Sequence, residues 1–312
     1  MAIMDSQKTS ERTMLQRGAF TLIELLVVIS IIGLLMFIAV PAFRGFGQSN
    51  SIAAAQQQLR DDLGFARQQA IKNRSPVYMV FFMPPHGVKP DAFSAALSGL
   101  HDKIQTFSQG TVPERMFREL ALRAYTNTFP KQYISYALFT EGSLGEQPGI
   151  KKSRYLTDWR ALPNGTMFPT NGMELRLPNW VSAVNSGVGY VLTNLNSRLF
   201  PFPIAPDRSD PVGSASLILE LPALAFDAQG RIFNYDVTGL PIGNGTTLAD
   251  RYAAVSSGSI SLSRLKVNAG EPDRFDFSQA ADVVETPRWN YTNQLLRVSA
   301  LTGRAKNLKP VQ

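Results

Sequence analysis

An unbroken apolar run near the N-terminus is the strongest pattern in the chain. From Leu25 to Val40 the only polar side chain is Ser30, and the only glycine is Gly33. As a helix, residues 20–43 would be about 36 Å long at 1.5 Å per residue, against a hydrocarbon core of about 30 Å. The pattern therefore predicts a membrane-spanning helix over residues 20–43.

A second helical pattern follows at residues 44–74. Pro41 lacks a backbone donor, so we expect a kink between the two halves of the helix. Apolar residues then recur at three- and four-residue steps and define one face made largely of small side chains: Ile52, Ala55, Leu59, Leu63, Ala66 and Ala70. Asn73-Arg74-Ser75-Pro76 ends the helix, because the residue before a proline is pushed out of the helical region.

Residues 75–312 show a strand pattern interrupted by long irregular segments. Runs of β-branched and aromatic residues predict the main strands: 77–83, 133–140, 189–192, 216–221, 231–235, 259–266 and 295–300. Segments rich in glycine, proline and asparagine predict long loops that serve as functional surface or insertions: 84–113, 142–153, 194–213, 236–250 and 268–288. The chain is therefore predicted to be α+β, with a long N-terminal helix packed on an antiparallel β-rich domain.

One carboxylate, Glu24, lies just inside the front of the apolar run. A charge deep in a bilayer costs roughly 2.5–3.5 kcal/mol, and such residues usually have a partner and a function. A secretory signal peptide has an apolar core of about 7–15 residues and a cleavage site at its far end. This apolar run is too long for such a core, and Glu24 would be out of place in it. A plain anchor helix fits the length but leaves the carboxylate unexplained, and a buried core helix is disfavoured because nothing else in the chain is apolar enough to surround it.

The string Phe20-Thr21-Leu22-Ile23-Glu24 resembles the type IV prepilin and pseudopilin signature. In that family a prepilin peptidase cuts just before the phenylalanine and methylates the new amine. The resemblance therefore implies cleavage between Ala19 and Phe20 and methylation of Phe20. The family usually has glycine before the cut, so cleavage after Gly18 is the alternative. The resemblance also implies that Glu24 pairs with the Phe20 amine of a neighbouring subunit, and unlike charges in a low dielectric strongly prefer such contact.

Three further stretches resemble the H-type minor pseudopilins of type II secretion and related minor pilins. They are residues 59–77, 159–165 and 296–304. This resemblance implies a minor structural subunit of a type II secretion pseudopilus or a type IV pilus-like filament, and not an enzyme. Its implied partners are a prepilin peptidase, other pilin subunits that contact the N-terminal helix, and membrane lipid.

Charge and composition bear on location and chemistry. The leader, residues 1–19, has three basic and two acidic residues, and no basic residue follows until Arg44. This asymmetry predicts a cytoplasmic N-terminus and a C-terminal domain, residues 75–312, on the outer side of the inner membrane. Cysteine is absent, so disulfides and thiolate sites are excluded, and we expect no cofactor.

Residue types for catalysis or metal binding are sparse. No P-loop, nucleophile elbow or zinc-protease string is present. His86 and His101, with Asp91 or Asp102, are a conceivable metal site, but solvated loop histidines are far commoner. A second acidic pair flanks a glycine- and asparagine-rich stretch, but its spacing matches no compact calcium loop: Asp236 and Asp250. The sequence therefore predicts no metal site.

The C-terminal tail is basic. Some minor pilins of the wider family take up DNA through a Gly-Arg-x-Arg element, which Gly303-Arg304-Ala305-Lys306 resembles. Arg304, Lys306 and Lys309 are therefore candidate nucleic-acid contacts, although lysine meets a phosphate as a point charge and not as a bidentate fork. A DNA-binding minor pilin is the alternative function, but a net charge of +7 over 312 residues is a weak field, so nucleic acid is an unlikely partner.

Overall fold

The computed structural model describes residues 22–107, 110–142, 153–170, 175–178, 190–193, 195–202, 217–242, 250–266, 274–286 and 295–308. The helices in these ranges are α1 (Leu22–Asn73), α2 (Pro90–Gln105) and α3 (Val112–Thr128), with a 3-10 turn at Phe129–Lys131. The strands are β1 (Val77–Phe81), β2 (Ser135–Thr140), β3 (Arg154–Tyr155), β4 (Arg160–Ala161), β5 (Thr166–Met167), β6 (Leu175–Pro178), β7 (Tyr190–Thr193), β8 (Asn196–Pro201), β9 (Ile218–Phe226), β10 (Ile232–Phe233), β11 (Arg251–Ala254), β12 (Ser256–Ser261), β13 (Arg264–Leu265), β14 (Arg274–Phe275), β15 (Asp282–Thr286), β16 (Leu295–Val298) and β17 (Ala305–Asn307). The predicted α+β class, with an N-terminal helix and an antiparallel β domain, is confirmed.

The chain divides into two units, residues 1–47 and residues 48–312. Helix α1 begins in the first unit and ends in the second. Among the residues that the structure describes, no helix has the length and apolar character needed to cross a membrane. The membrane span predicted from the sequence at residues 20–43 is therefore not confirmed.

The second unit is organised around a seven-stranded sheet. In the described residues its strand order is β10-β9-β1-β2-β3, with β8 paired to β9 and β4 paired to β2. The central strand β1 is antiparallel to both neighbours, with Val77 opposite Thr140 on one side and Phe226 on the other. All five residues of β1 are buried. Because alternate side chains point to opposite faces of a sheet, both faces must be covered.

The second half of α1 covers one face, as the sequence predicts. Five of the six residues predicted for its apolar face are completely buried: Ala55, Leu59, Leu63, Ala66 and Ala70. They belong to the same core cluster as Val77, Met79 and Phe81 of β1. The small alanines leave room for the sheet, and the sixth residue, Ile52, is half-buried.

The other face is covered by a helix where the sequence analysis expected a loop, so the assignment of residues 84–113 as irregular is wrong. Helix α2 buries four apolar residues at helical spacing in one cluster with Tyr78 and Val80 of β1 and with Phe82, which follows the strand: Phe93, Leu97, Leu100 and Ile104. Pro90 occupies the first turn of α2, where a missing N–H has no helical partner to lose. The prolines of this segment suggested a loop, although Pro90 is compatible with the start of a helix.

Helix α3 was also missed, although its start carries a recognisable signal. Thr111 is the N-cap, and the Thr111 N–H donates to Glu114 Oε2 at 3.0 Å. The Glu114 N–H donates in return to Thr111 Oγ1 at 3.4 Å. This reciprocal pair is a capping box, which the pattern Thr-x-x-Glu ahead of a helix indicates.

Two other predicted loops contain strands. Strand β8 lies in segment 194–213 and pairs with β9 along its whole length, from Asn196 opposite Ala223 to Pro201 opposite Ile218. Strands β14 and β15 lie in segment 268–288. Polar residues and proline give β8 little strand propensity of its own, so pairing with β9 determines its conformation. Most of segment 142–153, and residues 243–249 of segment 236–250, lie outside the described residues.

Candidate functional site

The N-terminal motif is the first candidate site. Ala19 and Phe20, the predicted cleavage and methylation residues, lie outside the residues that the structure describes. Glu24 is exposed in the first turn of α1, where the positive end of the helix dipole stabilises a carboxylate. Its pairing with a neighbouring subunit stays a prediction.

The side chains from Leu22 to Phe37 are all exposed. Leu22 and Phe37, at the two ends of this stretch, are each 82% exposed. Ser30, the only hydroxyl-bearing residue between them, donates to the carbonyl oxygen of Leu26 at 2.8 Å. Its donor is therefore satisfied within the helix. An exposed apolar surface of this extent is typical of an interaction site.

Pro41 lies within α1, which is continuous from Leu22 to Asn73. A continuous helix can be straight or bent at a proline. The predicted kink at this residue therefore stays a prediction.

The second candidate site is the C-terminal hairpin of β16 and β17. Arg297 lies directly opposite Lys306 across the two strands, and both residues are exposed. Arg304 is exposed two residues before Lys306 and shares its face, because strand side chains alternate. Leu296 and Val298 point the other way, into the main core. The outer face of the hairpin thus carries three cations, while Lys309 lies outside the described residues.

An open groove of about 360 Å³ lies on this face. It is lined by Arg297, Ser299, Thr302, Arg304 and Lys306. Asp250 Oδ2 accepts a hydrogen bond from Nε of Arg297 at 2.5 Å and forms an ion pair with Nη2 of the same side chain, also at 2.5 Å. The other oxygen of Asp250 accepts from the backbone N–H of Ala300 at 2.8 Å. Asp250, considered above as a calcium ligand, instead fixes the Arg297 guanidinium beside the hairpin turn.

The hairpin turn is attached to α1 by a hydrogen bond and two close glycine contacts. Arg67 of α1 donates from Nε to the carbonyl oxygen of Thr302 at 2.6 Å. Gly303 has φ +61, and a Cβ there would overlap the carbonyl oxygen of Gly230. Gly230 has φ +75, and a Cβ there would press on Ile71 and Arg67. Only glycine fits these two positions without strain, so the hairpin turn can lie close to Gly230 and α1.

A polar cluster also joins α1 to the sheet. The hydroxyl of Tyr136 donates to Asp62 Oδ2 at 2.6 Å, and Arg160 Nη1 lies 2.5 Å from Asp62 Oδ1. Gln58 Nε2 donates to the Tyr136 hydroxyl at 2.9 Å. Burial raises the pKa of Tyr136, and the hydrogen bond to Asp62 raises it further. These contacts hold the second half of α1 in register on the sheet.

The histidines do not assemble a metal site in the described part of the chain. His101 lies on α2, with its ring centroid 4.5 Å from that of Phe277 and 5.3 Å from that of Tyr125. Its Nδ1 is 3.6 Å from Asp102 Oδ1, while His86 is exposed ahead of the helix. No group of three or more histidine, aspartate or glutamate side chains among the described residues is arranged to hold a metal ion.

Asp236 closes a turn. Its Oδ1 accepts from the backbone N–H groups of Thr238 and Leu240 at 2.8 and 2.9 Å, and from the Thr238 hydroxyl at 2.6 Å. The hydroxyl hydrogen bond is the main cause that lowers the pKa of Asp236. The carboxylate is therefore occupied by its own turn.

The comparison with known families matches the N-terminal motif. Residues 14–40 match the prokaryotic N-terminal methylation motif, which is the type IV prepilin-like signal. The match confirms the resemblance to type IV pilin-like proteins. It indicates a structural, membrane-associated filament subunit that is processed by a prepilin peptidase and assembles with other pilin subunits. No curated protein and no solved structure matches the chain.

Sequence reasoning found the cations of the hairpin but missed the residues that support them. Ser299 and Thr302 carry hydroxyls near the turn, and the alternation of polar residues on both sides of the turn was the available signal. Arg67 contacts a residue 235 positions away in the chain. No local pattern predicts such a contact.

Proposed function

We propose that this chain is a minor pseudopilin or pilin-like subunit of a type II secretion pseudopilus or type IV pilus-like filament. The observation that carries the proposal is the methylation motif at residues 14–40, together with a helical surface that is apolar and exposed from Leu22 as far as Phe37. An exposed apolar surface of this kind marks an interaction site, and either lipid or the same helices of neighbouring subunits would bury it.

The chemistry of the motif supports assembly through charge pairing. Cleavage between Ala19 and Phe20 would create an ammonium group four residues ahead of Glu24. Inside a bundle of apolar helices, that carboxylate and the amine of a neighbour attract strongly because little water screens them. Before assembly, residues 20–43 would be held in the inner membrane, with the leader in the cytoplasm and the β domain on the outer side.

The assignment to the H-type minor group is supported by where the resembling stretches lie. Residues 59–77 form the passage from α1 to β1, and residues 296–304 cover most of β16 and the turn before β17. Arg160, in the stretch at residues 159–165, pairs with Asp62 on α1. Each stretch thus belongs to the frame that holds the helix and sheet together.

Processing is the direct test of this proposal. Co-expression with a prepilin peptidase should remove nineteen residues and leave a methylated Phe20, as read by intact-mass and peptide mass spectrometry. The same chain without the peptidase is the control and should keep its leader. An intact leader in the presence of active peptidase, or a cut beyond Val40, would contradict the proposal, and removal of eighteen residues would favour the site after Gly18.

A DNA-binding minor pilin is the second candidate, because the hairpin carries three exposed cations on one face. Neutralising Arg304, Lys306 and Lys309 would then weaken binding to duplex DNA and flatten its salt dependence by about 0.9 per lost phosphate contact. We expect feeble binding before and after the change, since no row of aromatic side chains alternates with these cations as a stacking platform would. Sub-micromolar binding at physiological salt, abolished by the triple change, would make DNA uptake the leading function.

A further inference from the structure

We propose that the groove on the β16–β17 hairpin is a binding site for a single phosphate group, carried by a small phosphomonoester. This site lies in the second unit and does not depend on cleavage or assembly of the N-terminal helix.

The hairpin carries an excess of positive charge that a bound anion would neutralise. Arg297 and Lys306 are a directly opposed cross-strand pair, and like charges in that position destabilise a sheet. Asp250 compensates Arg297. No acidic side chain of the described residues forms an ion pair with Lys306 or Arg304, whereas both face the groove. An anion bound between Lys306 and Arg304 would compensate these two remaining cations.

The lining residues are donors of the kinds that bind phosphate. Arg304 presents a planar fork, Lys306 a compact charge, and Ser299 and Thr302 hydroxyl groups, whereas Nε and Nη2 of Arg297 face Asp250. A carboxylate offers two oxygens to such a set, whereas a phosphomonoester offers three on one phosphorus and carries nearly two charges. The number of converging donors therefore favours phosphate over carboxylate.

The groove is small and its walls are positioned in advance. Its volume of about 360 Å³ falls at the lower end of the range of about 300–1,000 Å³ for small-molecule sites. Asp250 orients Arg297, and Arg67 and Gly303 fix the turn that carries Thr302. Groups that are already ordered lose less entropy on binding. One phosphate fits this arrangement better than the extended backbone of a nucleic acid, which needs a track of cations.

The test is calorimetric titration of the full-length protein in a non-ionic detergent. The probes are glucose 6-phosphate and dihexanoyl phosphatidic acid, which present the same phosphate group from a soluble and a lipid source. We expect saturable binding of at least one probe, and which one binds identifies the source. Binding of neither probe would overturn the proposal.

Two double variants with equal charge change locate the site. Arg304→Gln with Lys306→Gln should weaken binding by at least about tenfold, because each lost charge-assisted contact is worth roughly that factor or more. Arg115→Gln with Arg123→Gln, at exposed positions of α3, should leave the affinity unchanged. Equal losses in the two variants would overturn the proposal and indicate a general effect of net charge. Tighter binding of a short DNA duplex than of either probe, lost in the first variant, would overturn it in favour of nucleic acid.

Discussion

Gly303 shows how strongly one residue constrains the hairpin. Its φ of +61 disfavours any side chain, and a Cβ would overlap the Gly230 carbonyl oxygen. We expect Gly303→Ala to lower the free energy of unfolding by more than about 1 kcal/mol, measured by urea denaturation. The matched control is Gly99→Ala, at an exposed position of α2 with open space around it. That change should stabilise the protein by about 0.5–1 kcal/mol, because alanine is the better helix former. Similar effects of both changes would contradict this account.

Buried tyrosines set an alkaline limit on stability. Burial is the main cause that raises the pKa of seven of them: Tyr78, Tyr125, Tyr133, Tyr136, Tyr155, Tyr235 and Tyr252. For Tyr133 the folded-state pKa is about 12. In the unfolded chain these hydroxyls ionise near pH 10, so between pH 10 and the folded-state pKa the unfolded state binds fewer protons than the native state.

The free energy of unfolding should therefore be unaffected by these groups below pH 10 and should fall as the pH rises above 10. Urea denaturation across an alkaline pH series measures this, and the ultraviolet absorbance of tyrosinate reports when ionisation occurs. We expect ionisation to coincide with unfolding. Ionisation of most tyrosines in a chain that remains folded would contradict the prediction.

Among the elements, α1 was the most predictable, because its apolar periodicity continues over several turns. Leu63 is completely buried on its inner face, and Gln68 is exposed on the same helix. Leu63→Ala should lower the free energy of unfolding by about 2–5 kcal/mol. Gln68→Ala should change it by less than about 0.5 kcal/mol. Chemical denaturation measures both, and a small effect at Leu63 would show that this face is not a packed core.

Other elements escaped prediction for two different physical reasons. Helices α2 and α3 had local signals, namely the spacing of Phe93 and Leu97 and the capping box at Thr111, but α2 lay in a segment whose prolines and glycines suggested a loop, and most of α3 was given no assignment. Strand β8 had no such signal, since its conformation depends on pairing with β9, which follows it in the chain only after residue 217. The first kind of error can be corrected by a closer reading of the sequence, but the second requires the fold.

At the scale of the whole molecule, the two candidate sites differ in how far sequence could predict them. The N-terminal motif is a linear signal read by a processing enzyme, so its residues are adjacent in the chain and the motif match confirms its class. The groove depends on strand register, which places Arg297 opposite Lys306, and on Asp250, which is 47 positions from Arg297. The basic tail could be predicted from the sequence, whereas the concave shape of the site is apparent only in the fold.

The carboxylate at Glu24 separates processing from assembly. Glu24→Ala removes a charge from an apolar segment, so membrane insertion should improve slightly. Cleavage before Phe20 should persist because the cut lies four residues away. Incorporation into filaments should fail, because the amine of the neighbouring Phe20 would lose its ionic partner in a low dielectric.

A matched variant in the same segment makes this test specific. Ser30→Ala removes a hydroxyl that is bonded within its own helix, so insertion, cleavage and assembly should all continue. Fractionation of membranes and sheared filaments, followed by mass spectrometry of the N-terminus, measures the three steps separately. If the Glu24→Ala chain were cleaved and entered filaments at the wild-type level, the pairing of Glu24 with a neighbouring amine would be wrong, because the carboxylate would then be dispensable at the step for which it is proposed.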